Sequence, residues 1–142
     1  MKFYNDTVTL RTNKRLEIMN ISKKINDSVS TSGIDNGLMN LWINHTTAAL
    51  VINEDDPNLW EDIISTFKYL VPVDTNYNHN RRYSHLPGEQ NAHAHILNCL
   101  IKPDTTIPIK NKKIMLSTWQ NILFIELDGP RERSVNIQIM GE

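Results

Sequence analysis

Histidines are the first sign of chemistry in this chain. His79, His85, His93 and His95 lie in one polar stretch and the segment that follows it, whereas His45 lies apart. Neutral imidazole binds zinc and similar metal ions, and three such ligands plus a water molecule form an open catalytic site. The spacing leaves two interpretations open, a metal site or a set of exposed loop histidines. The pair at 93 and 95 would share a face on a strand but diverge by about 200° on a helix.

A carboxylate and an aromatic side chain form the second group. Glu126 lies inside an apolar run, so its carboxylate faces either solvent or a partner that compensates its desolvation. Trp119 is followed by Gln120, and an indole face beside an amide can hold a planar ring and hydrogen-bond its edge. The alternative for Trp119 is a core position at the end of a strand.

Arginines form the third group. Arg81 and Arg82 are adjacent in the histidine-rich stretch, and Arg131 and Arg133 alternate beyond a Gly-Pro pair. Guanidinium groups bind phosphate and diphosphate through paired hydrogen bonds. The sequence therefore predicts a small phosphorylated substrate, with solvated surface pairs as the alternative.

Composition excludes several classes of protein. The 142 residues are 39% hydrophobic and 22% charged, and 15 basic against 16 acidic side chains give a net charge of −1. That balance argues against nucleic-acid binding by bulk charge. The only cysteine, Cys99, excludes an internal disulfide framework and a cysteine-rich zinc site, and its apolar neighbours predict a buried thiol. No apolar run is long enough for a membrane span and the first residues lack a signal-peptide pattern, so we expect a soluble cytoplasmic protein.

The strands and helices that must position these residues are predicted from hydrophobic periodicity and from residues that begin or end such elements. No linker divides the chain, so we treat residues 1–142 as a single domain. Alternating and apolar runs predict strands at 7–10, 16–20, 38–43, 48–52, 105–109, 114–117, 122–127 and 134–140. Helical spacing and caps predict two main helices at 21–30 and 57–70, with a short helix at about 92–101. Residues 72–91 are predicted as a long loop, of a length that is usually functional or disordered. This order indicates an α+β fold with largely antiparallel sheets.

Four motifs in this order closely resemble the YjbQ-like family, named for a secondary thiamine-phosphate synthase activity. They are the segments at residues 45–54 (HTTAALVINE), 91–96 (NAHAHI), 118–122 (TWQNI) and 126–133 (ELDGPRER). The similarity runs over nearly the whole chain. It departs from the family's usual pattern at Asn80, where many relatives have Asp, and at Ser117, where glycine is usual.

The resemblance implies a β-sandwich-like α+β fold that assembles as a homotrimer with pockets near the subunit boundaries. It implies a divalent metal, zinc or magnesium, held by His45, His79 and His95, with His93 as the alternative to His95. The catalytic positions that it implies are Glu54, Asn91, Trp119, Gln120 and Glu126.

The leading hypothesis for function is a transferase that resembles thiamine-phosphate synthase. It would join hydroxymethylpyrimidine diphosphate to thiazole phosphate and release diphosphate, whose charge arginines and a metal would neutralise. Trp119 would stack on the pyrimidine ring. Glu126, with a depressed pKa, would act as a base or hydrogen-bond acceptor in the same pocket, which a neighbouring subunit completes unless the strands bend. The alternatives are a metal- or ligand-binding protein without this turnover, and a metal-dependent hydrolase.

Overall fold

The computed structural model describes all residues, 1–142, as eight strands and four helices. The strands are β1 (Lys2–Arg11), β2 (Glu17–Asn20), β3 (Gly37–Trp42), β4 (Ala48–Asn53), β5 (Asp104–Lys110), β6 (Lys113–Ile114), β7 (Asn121–Glu126) and β8 (Glu132–Gly141). The helices are α1 (Ser22–Ser32), α2 (Pro57–Leu70), α3 (Asn78–Arg82) and α4 (Ala92–Ile101).

The strands form two antiparallel sheets. The larger sheet has the order β1-β8-β3-β5-β6, and the smaller has the order β2-β7-β4. Strands that are consecutive in the chain enter different sheets. β1 pairs with β8 in the larger sheet, whereas β2 pairs with β7 in the smaller one. In the same way, β3 joins the larger sheet and β4 the smaller one. The α+β class with antiparallel sheets, predicted from the sequence, is confirmed.

Strand β7 lies at the centre of the molecule because both of its faces are covered. Ile122 and Phe124 pack in a core that includes the inner face of the larger sheet and α1. Leu123 and Ile125 pack in a second core beneath α2 and α4. A strand that is buried on both faces has an uninterrupted apolar sequence rather than an alternating one. This explains the run that precedes Glu126.

The main helices begin and end where local chemistry requires. Helix α2 has the predicted bounds, and the Asp56 side chain caps it by accepting a hydrogen bond from the Asn58 N–H at 2.9 Å. Helix α1 ends at Gly33, whose positive φ of 64° places it in the left-handed region that glycine adopts without steric cost. The short helix predicted before β5 is α4.

The structure differs from the sequence predictions in three places. The stretch at 72–91, predicted as a loop, contains α3 and a 3₁₀ turn at Pro87–Glu89, so there are four helices. Strand β6 has only two residues, and the chain after Ile114 leaves the sheet. The prediction of a buried Cys99 is wrong, because its side chain lies on the exposed face of α4 beside Leu100.

None of the four helices combines the length and the apolar composition that are needed to span a lipid bilayer.

Candidate functional site

A buried ion pair lies where the two sheets meet at one end. Glu126 ends β7 and Arg133 lies near the start of β8, on the face that points toward the smaller sheet. The Arg133 Nη2 donates to Glu126 Oε1 at 2.6 Å, and the Nε donates to Oε2 at 2.8 Å. Both side chains are almost completely buried, with exposed fractions of 3% and 0%. Two parallel hydrogen bonds of this kind are the strongest form of arginine–carboxylate contact.

Hydrogen bonds from neighbouring segments complete the pair. The Glu126 Oε1 accepts from the N–H groups of Leu127 and Asp128 at 2.9 and 3.0 Å, and Oε2 accepts from the Thr12 hydroxyl at 2.8 Å. The Arg133 guanidinium also donates to the Thr47 hydroxyl at 2.8 Å. Five donors therefore surround the carboxylate, and the segments around β1, β4, β7 and β8 are joined at one point.

The protonation state of Glu126 follows from these contacts. Burial alone raises the pKa of the carboxyl group, but the hydrogen bonds from Arg133, the Asp128 N–H and Thr12 outweigh burial, and the net pKa is lowered. The depressed pKa expected from the sequence is confirmed. However, the carboxylate has no exposed surface and no free lone-pair direction toward a substrate. Its contacts support a structural role rather than the base that the sequence suggested.

Glycine is required at position 129, beside this network. A Cβ at Gly129 would lie 2.8 Å from Glu126 Cγ and 2.9 Å from Thr12 Oγ1, and would also collide with the Lys14 carbonyl oxygen. Such distances are shorter than van der Waals contact. The Gly-Pro pair in the last motif therefore allows the chain to pass directly over the buried carboxylate.

A polar pocket of about 310 Å³ lies over the ion pair. Its lining has no apolar residue and includes His45 before β4, Asn91 and His95 at the start of α4, and Arg131 and Arg133 at the start of β8. Burial and then the charge of Arg133 lower the pKa of His45, and burial followed by the charge of His79 lowers that of His95. Both imidazoles therefore favour the neutral form.

Two buried polar atoms among the pocket residues have no partner within the chain. The Asn91 Nδ2 donates to Asp128 Oδ2 at 2.9 Å, which fixes the amide orientation and leaves Oδ1 unpaired. The His45 Nε2 is also buried without a partner. An unpaired buried polar atom is costly, and a ligand that pairs with it removes that cost. The pocket therefore contains one acceptor oxygen and one ring nitrogen that the chain itself does not pair.

The histidines predicted as metal ligands are only partly brought together. The rings of His79 and His95 lie 4.9 Å apart between centroids, and His45 lines the same pocket as His95. His93 is fully buried, and its Nε2 lies 3.0 Å from the Leu127 carbonyl oxygen, where an N–H donates. The structure holds no group of three His, Cys, Asp or Glu side chains in a geometry that could bind a metal ion. As placed, these residues do not fit a metal centre.

Three other predicted site residues lie at the opposite end of the smaller sheet. Trp119 and Gln120 come directly before β7, and Trp119 is 71% exposed. Glu54 follows β4, whose last residue pairs with the first residue of β7. Because β7 keeps an unbroken register with β4, about 17 Å of strand separates this end from Glu126. Trp119 and Glu126 therefore do not share a pocket within one subunit.

The four predicted arginines have different surroundings. Arg133 is occupied by Glu126, and Arg131 pairs with Asp128 at 2.8 Å while remaining 44% exposed. Arg82 lies 5.6 Å from the Tyr83 ring centroid. Arg81 lines a separate cavity together with Arg15, which the sequence analysis missed. The only sequence feature that could have indicated Arg15 is the pair of adjacent basic residues, Lys14 and Arg15, in the β1–β2 turn.

Comparison with known proteins identifies the family. A sequence model described as "UPF0047 protein YjbQ-like" matches residues 6–142. A UPF0047 protein from Methanothermobacter thermautotrophicus is 37% identical over 142 residues, covering 100% of this chain and 95% of the relative. The chain belongs to the UPF0047 YjbQ-like family. The YugU protein of Bacillus subtilis, also named UPF0047, is 31% identical over 95% of this chain and 98% of its own length.

Solved structures of YjbQ-like proteins have the same fold. A YbjQ-like protein from Sulfolobus solfataricus superimposes with a TM-score of 0.92 at 34% identity, covering 99% of both chains. A protein from Aeropyrum pernix superimposes with a TM-score of 0.91 at 38% identity, covering 98% of this chain and 99% of the other. The family resemblance inferred from four motifs is confirmed.

We expect Glu126→Gln to destabilise this family member. The substitution keeps the shape but leaves Arg133 charged and buried without its counter-ion, and breaking one partner of a buried pair costs about 3–5 kcal/mol. Urea unfolding at pH 7 measures the loss. Glu61→Gln, at an exposed position on α2, is the control and should change the free energy of unfolding by less than about 0.5 kcal/mol. A loss below about 1 kcal/mol for Glu126→Gln would contradict this account of the ion pair.

The contribution of Glu126 should also depend on pH. Its folded pKa lies below the ordinary value of 4.5, so its stabilisation is complete above about pH 4.5 and is lost as pH falls through the folded pKa. The difference in unfolding free energy between the wild type and Glu126→Gln should therefore be constant from pH 7 to 5 and shrink below pH 4.5. Urea titrations at each pH test this, and a gap that is unchanged at pH 3 would refute it.

Proposed function

We propose that the pocket around His45, Asn91 and Arg131 binds a small phosphorylated substrate. The observation that carries this proposal is the pair of unpaired buried atoms, His45 Nε2 and Asn91 Oδ1, beside an exposed guanidinium. Arg131 donates its Nε and one Nη2 hydrogen bond to Asp128, which fixes the plane of the group. Its remaining donors are free to bind a phosphate oxygen, while Asn91 Oδ1 accepts from a hydroxyl or amino group of the same ligand.

The reaction that we propose is the one implied by the family resemblance. The nitrogen of thiazole phosphate attacks the methylene carbon of hydroxymethylpyrimidine diphosphate, the carbon–oxygen bond breaks, and the diphosphate leaves with the electron pair. Positive charge near the departing oxygens lowers the barrier, because it stabilises charge that develops in the transition state. The exposed guanidinium group of Arg131 would supply this positive charge. Glu126 and Arg133 contribute indirectly, by fixing the floor of the pocket.

A second candidate, a metal-dependent hydrolase, is favoured by one contact. The rings of His79 and His95 lie close together, and His45 lines the same pocket as His95. A rotation of these side chains would be needed before three imidazoles could bind one ion. Metal content and the effect of chelation distinguish the candidates: a hydrolase of this kind loses all activity with its metal, whereas binding of phosphate by Arg131 does not require one.

We expect His45→Gln to lower condensation turnover at least tenfold without unfolding the protein, because the His45 side chain makes no hydrogen bond within the chain. The assay combines the two purified substrates and measures the condensed product by chromatography, with thermal melting as a check on folding. His85→Gln, in the exposed loop segment, is the matched control and should keep wild-type turnover. Equal turnover in the His45 and His85 variants would remove His45 from the site. No turnover by the wild type would refute the transferase.

Self-association is the second part of this proposal. The outer face of the larger sheet is not covered by any helix, and thirteen side chains on it alternate with core residues. Charged side chains on this face lie only at the strand ends, at Arg11, Asp104, Lys110, Lys113 and Glu132. The thirteen between them are uncharged: Phe3, Asn5, Thr7, Thr9, Leu38, Asn40, Trp42, Thr106, Pro108, Ser134, Asn136, Gln138 and Met140. Depletion of charge with exposed aromatic side chains is typical of the core of a protein–protein interface.

The polar atoms of this face suit a second copy of the same chain. Gln138 Nε2 donates to Asn5 Oδ1 at 3.2 Å and Asn40 Nδ2 donates to Thr106 Oγ1 at 3.1 Å. An amide donor on Asn5 and amide acceptors on Asn40 and Gln138 then remain without partners. Identical copies can pair such groups with each other, and the uncharged centre of the face involves no repulsion between them. These features support self-association, and the resemblance implies that it gives a homotrimer.

We expect light scattering at micromolar concentration to give about three times the 16.4 kDa mass of one chain. Gln138→Glu should shift the protein toward the monomer, because identical copies would bring like charges together in the interface. Asn26→Asp, a similar change at an exposed position on α1, should leave the mass unchanged. A monomeric wild type would refute the trimer, and an unaffected Gln138→Glu variant would exclude this face.

A further inference from the structure

Arg15, in the turn between β1 and β2, lies where three cavities meet. It lines a cavity of about 470 Å³ together with Arg81, one of about 310 Å³ together with Arg131, and one of about 630 Å³ together with Lys14 and Lys68. Arg131 in turn lines the pocket of His45. Shared arginines therefore link these cavities: Arg131 borders the His45 pocket and one cavity of Arg15, and Arg15 also borders the cavity of Arg81.

The charges of Arg15 and Arg81 are not compensated. The ion pairs of the structure are Lys112–Asp35, Arg131–Asp128 and Arg133–Glu126, and none involves Arg15 or Arg81. Asp74 lines the same cavity but lies beyond ion-pair distance of both guanidinium groups. The cavity between them therefore carries two unpaired positive charges against one carboxylate, in a chain whose overall charge is −1.

Neutral acceptors hold both guanidinium groups in place. Arg15 Nη2 donates to the Gln90 carbonyl oxygen at 2.6 Å, and Arg81 donates to the side-chain oxygens of Asn76, at 3.1 Å, and Asn78. Of the five N–H donors on each group, most remain free. Positioned donors lose less entropy when they bind a ligand than flexible ones do.

The rest of the cavity wall supplies further donors. The hydroxyl groups of Thr75 and Ser84 line it and make no hydrogen bond within the chain. The Gln90 amide fixes the wall from behind, because its Nε2 donates to the carbonyl oxygens of Tyr83 at 2.8 Å and Asn80 at 3.3 Å. The only apolar residue in the lining is Val73. The wall is therefore polar, rich in donors and held in shape.

We infer that the cavity between Arg15 and Arg81 is a second anion subsite, which binds a phosphate or diphosphate group. The inference rests on the proposed function in one respect: the group would belong to the substrate whose other end occupies the His45 pocket. Two guanidinium groups with adjacent hydroxyls provide the paired donors that phosphate oxygens accept. Arg15 is then a binding residue that joins the two ends of the site. The β1–β2 turn, which carries Arg15, and helix α3, which carries Arg81, form the walls.

Isothermal titration of the full-length protein with inorganic diphosphate tests the subsite. We expect Arg15→Gln to weaken binding about tenfold to a hundredfold, which is the usual effect of losing a hydrogen bond between charged groups. Arg15→Lys should recover part of the affinity, because it restores the charge but not the paired geometry. Arg11→Gln, an exposed arginine at the end of β1 that lines none of the three cavities, should bind like the wild type.

The outcomes separate this inference from the proposed function. Absence of diphosphate binding by the wild type, or equal affinity in the wild type and Arg15→Gln, would overturn the subsite. Diphosphate binding that depends on Arg15 in a protein without condensation turnover would support the subsite and refute the transferase. Turnover with the same KM in Arg15→Gln as in the wild type would support the transferase and refute the subsite.

Discussion

The buried pair of Glu126 and Arg133 is the contact on which the site end of this fold depends. Two charges removed from water are stabilising only when every remaining donor and acceptor is also satisfied. Here Thr12, Thr47 and two backbone N–H groups provide that satisfaction. Thr12 follows β1 and Thr47 precedes β4, so the pair is completed only when the ends of both sheets are in register. The polar pocket lies directly over it and takes Arg133 and Thr47 as part of its floor.

This arrangement divides the polar and charged residues into two groups. Residues that pair with one another inside the protein, as Glu126 does with Arg133, hold the shape of the site. Residues with unused donors or acceptors, such as Asn91, Arg131 and Arg15, face the cavities. Because desolvation is costly for any unpaired group, the second group is where ligand binding gains most free energy. Hydrogen-bond satisfaction therefore separates supporting residues from binding residues more clearly than residue type does.

The fold was largely predictable from the sequence because its signals are local. The Asp56-Pro57 start of α2, the glycine after α1 and the apolar run of β7 each determine a structure within a few residues. Helix α3 was missed because an Asn- and Arg-rich segment has no apolar period to detect. The site was less predictable because its contacts are not local. Sequence reasoning left open whether Glu126 faces solvent or a partner, since the partner lies on a strand of the other sheet.

Two motif residues that are near each other in the sequence, Trp119 and Glu126, are far apart in the structure. Trp119 and Glu126 are seven residues apart, and only the uninterrupted pairing of β7 with β4 shows that they lie at opposite ends of the smaller sheet. If both ends serve one site, one copy must bring its Trp119 end to the His45 end of the next. A two-fold contact through identical surfaces pairs each end with itself, whereas a head-to-tail contact pairs unlike ends and closes into a ring when the rotation allows. A shared site in this family therefore requires a ring such as a trimer, and a symmetric dimer would leave the two halves apart.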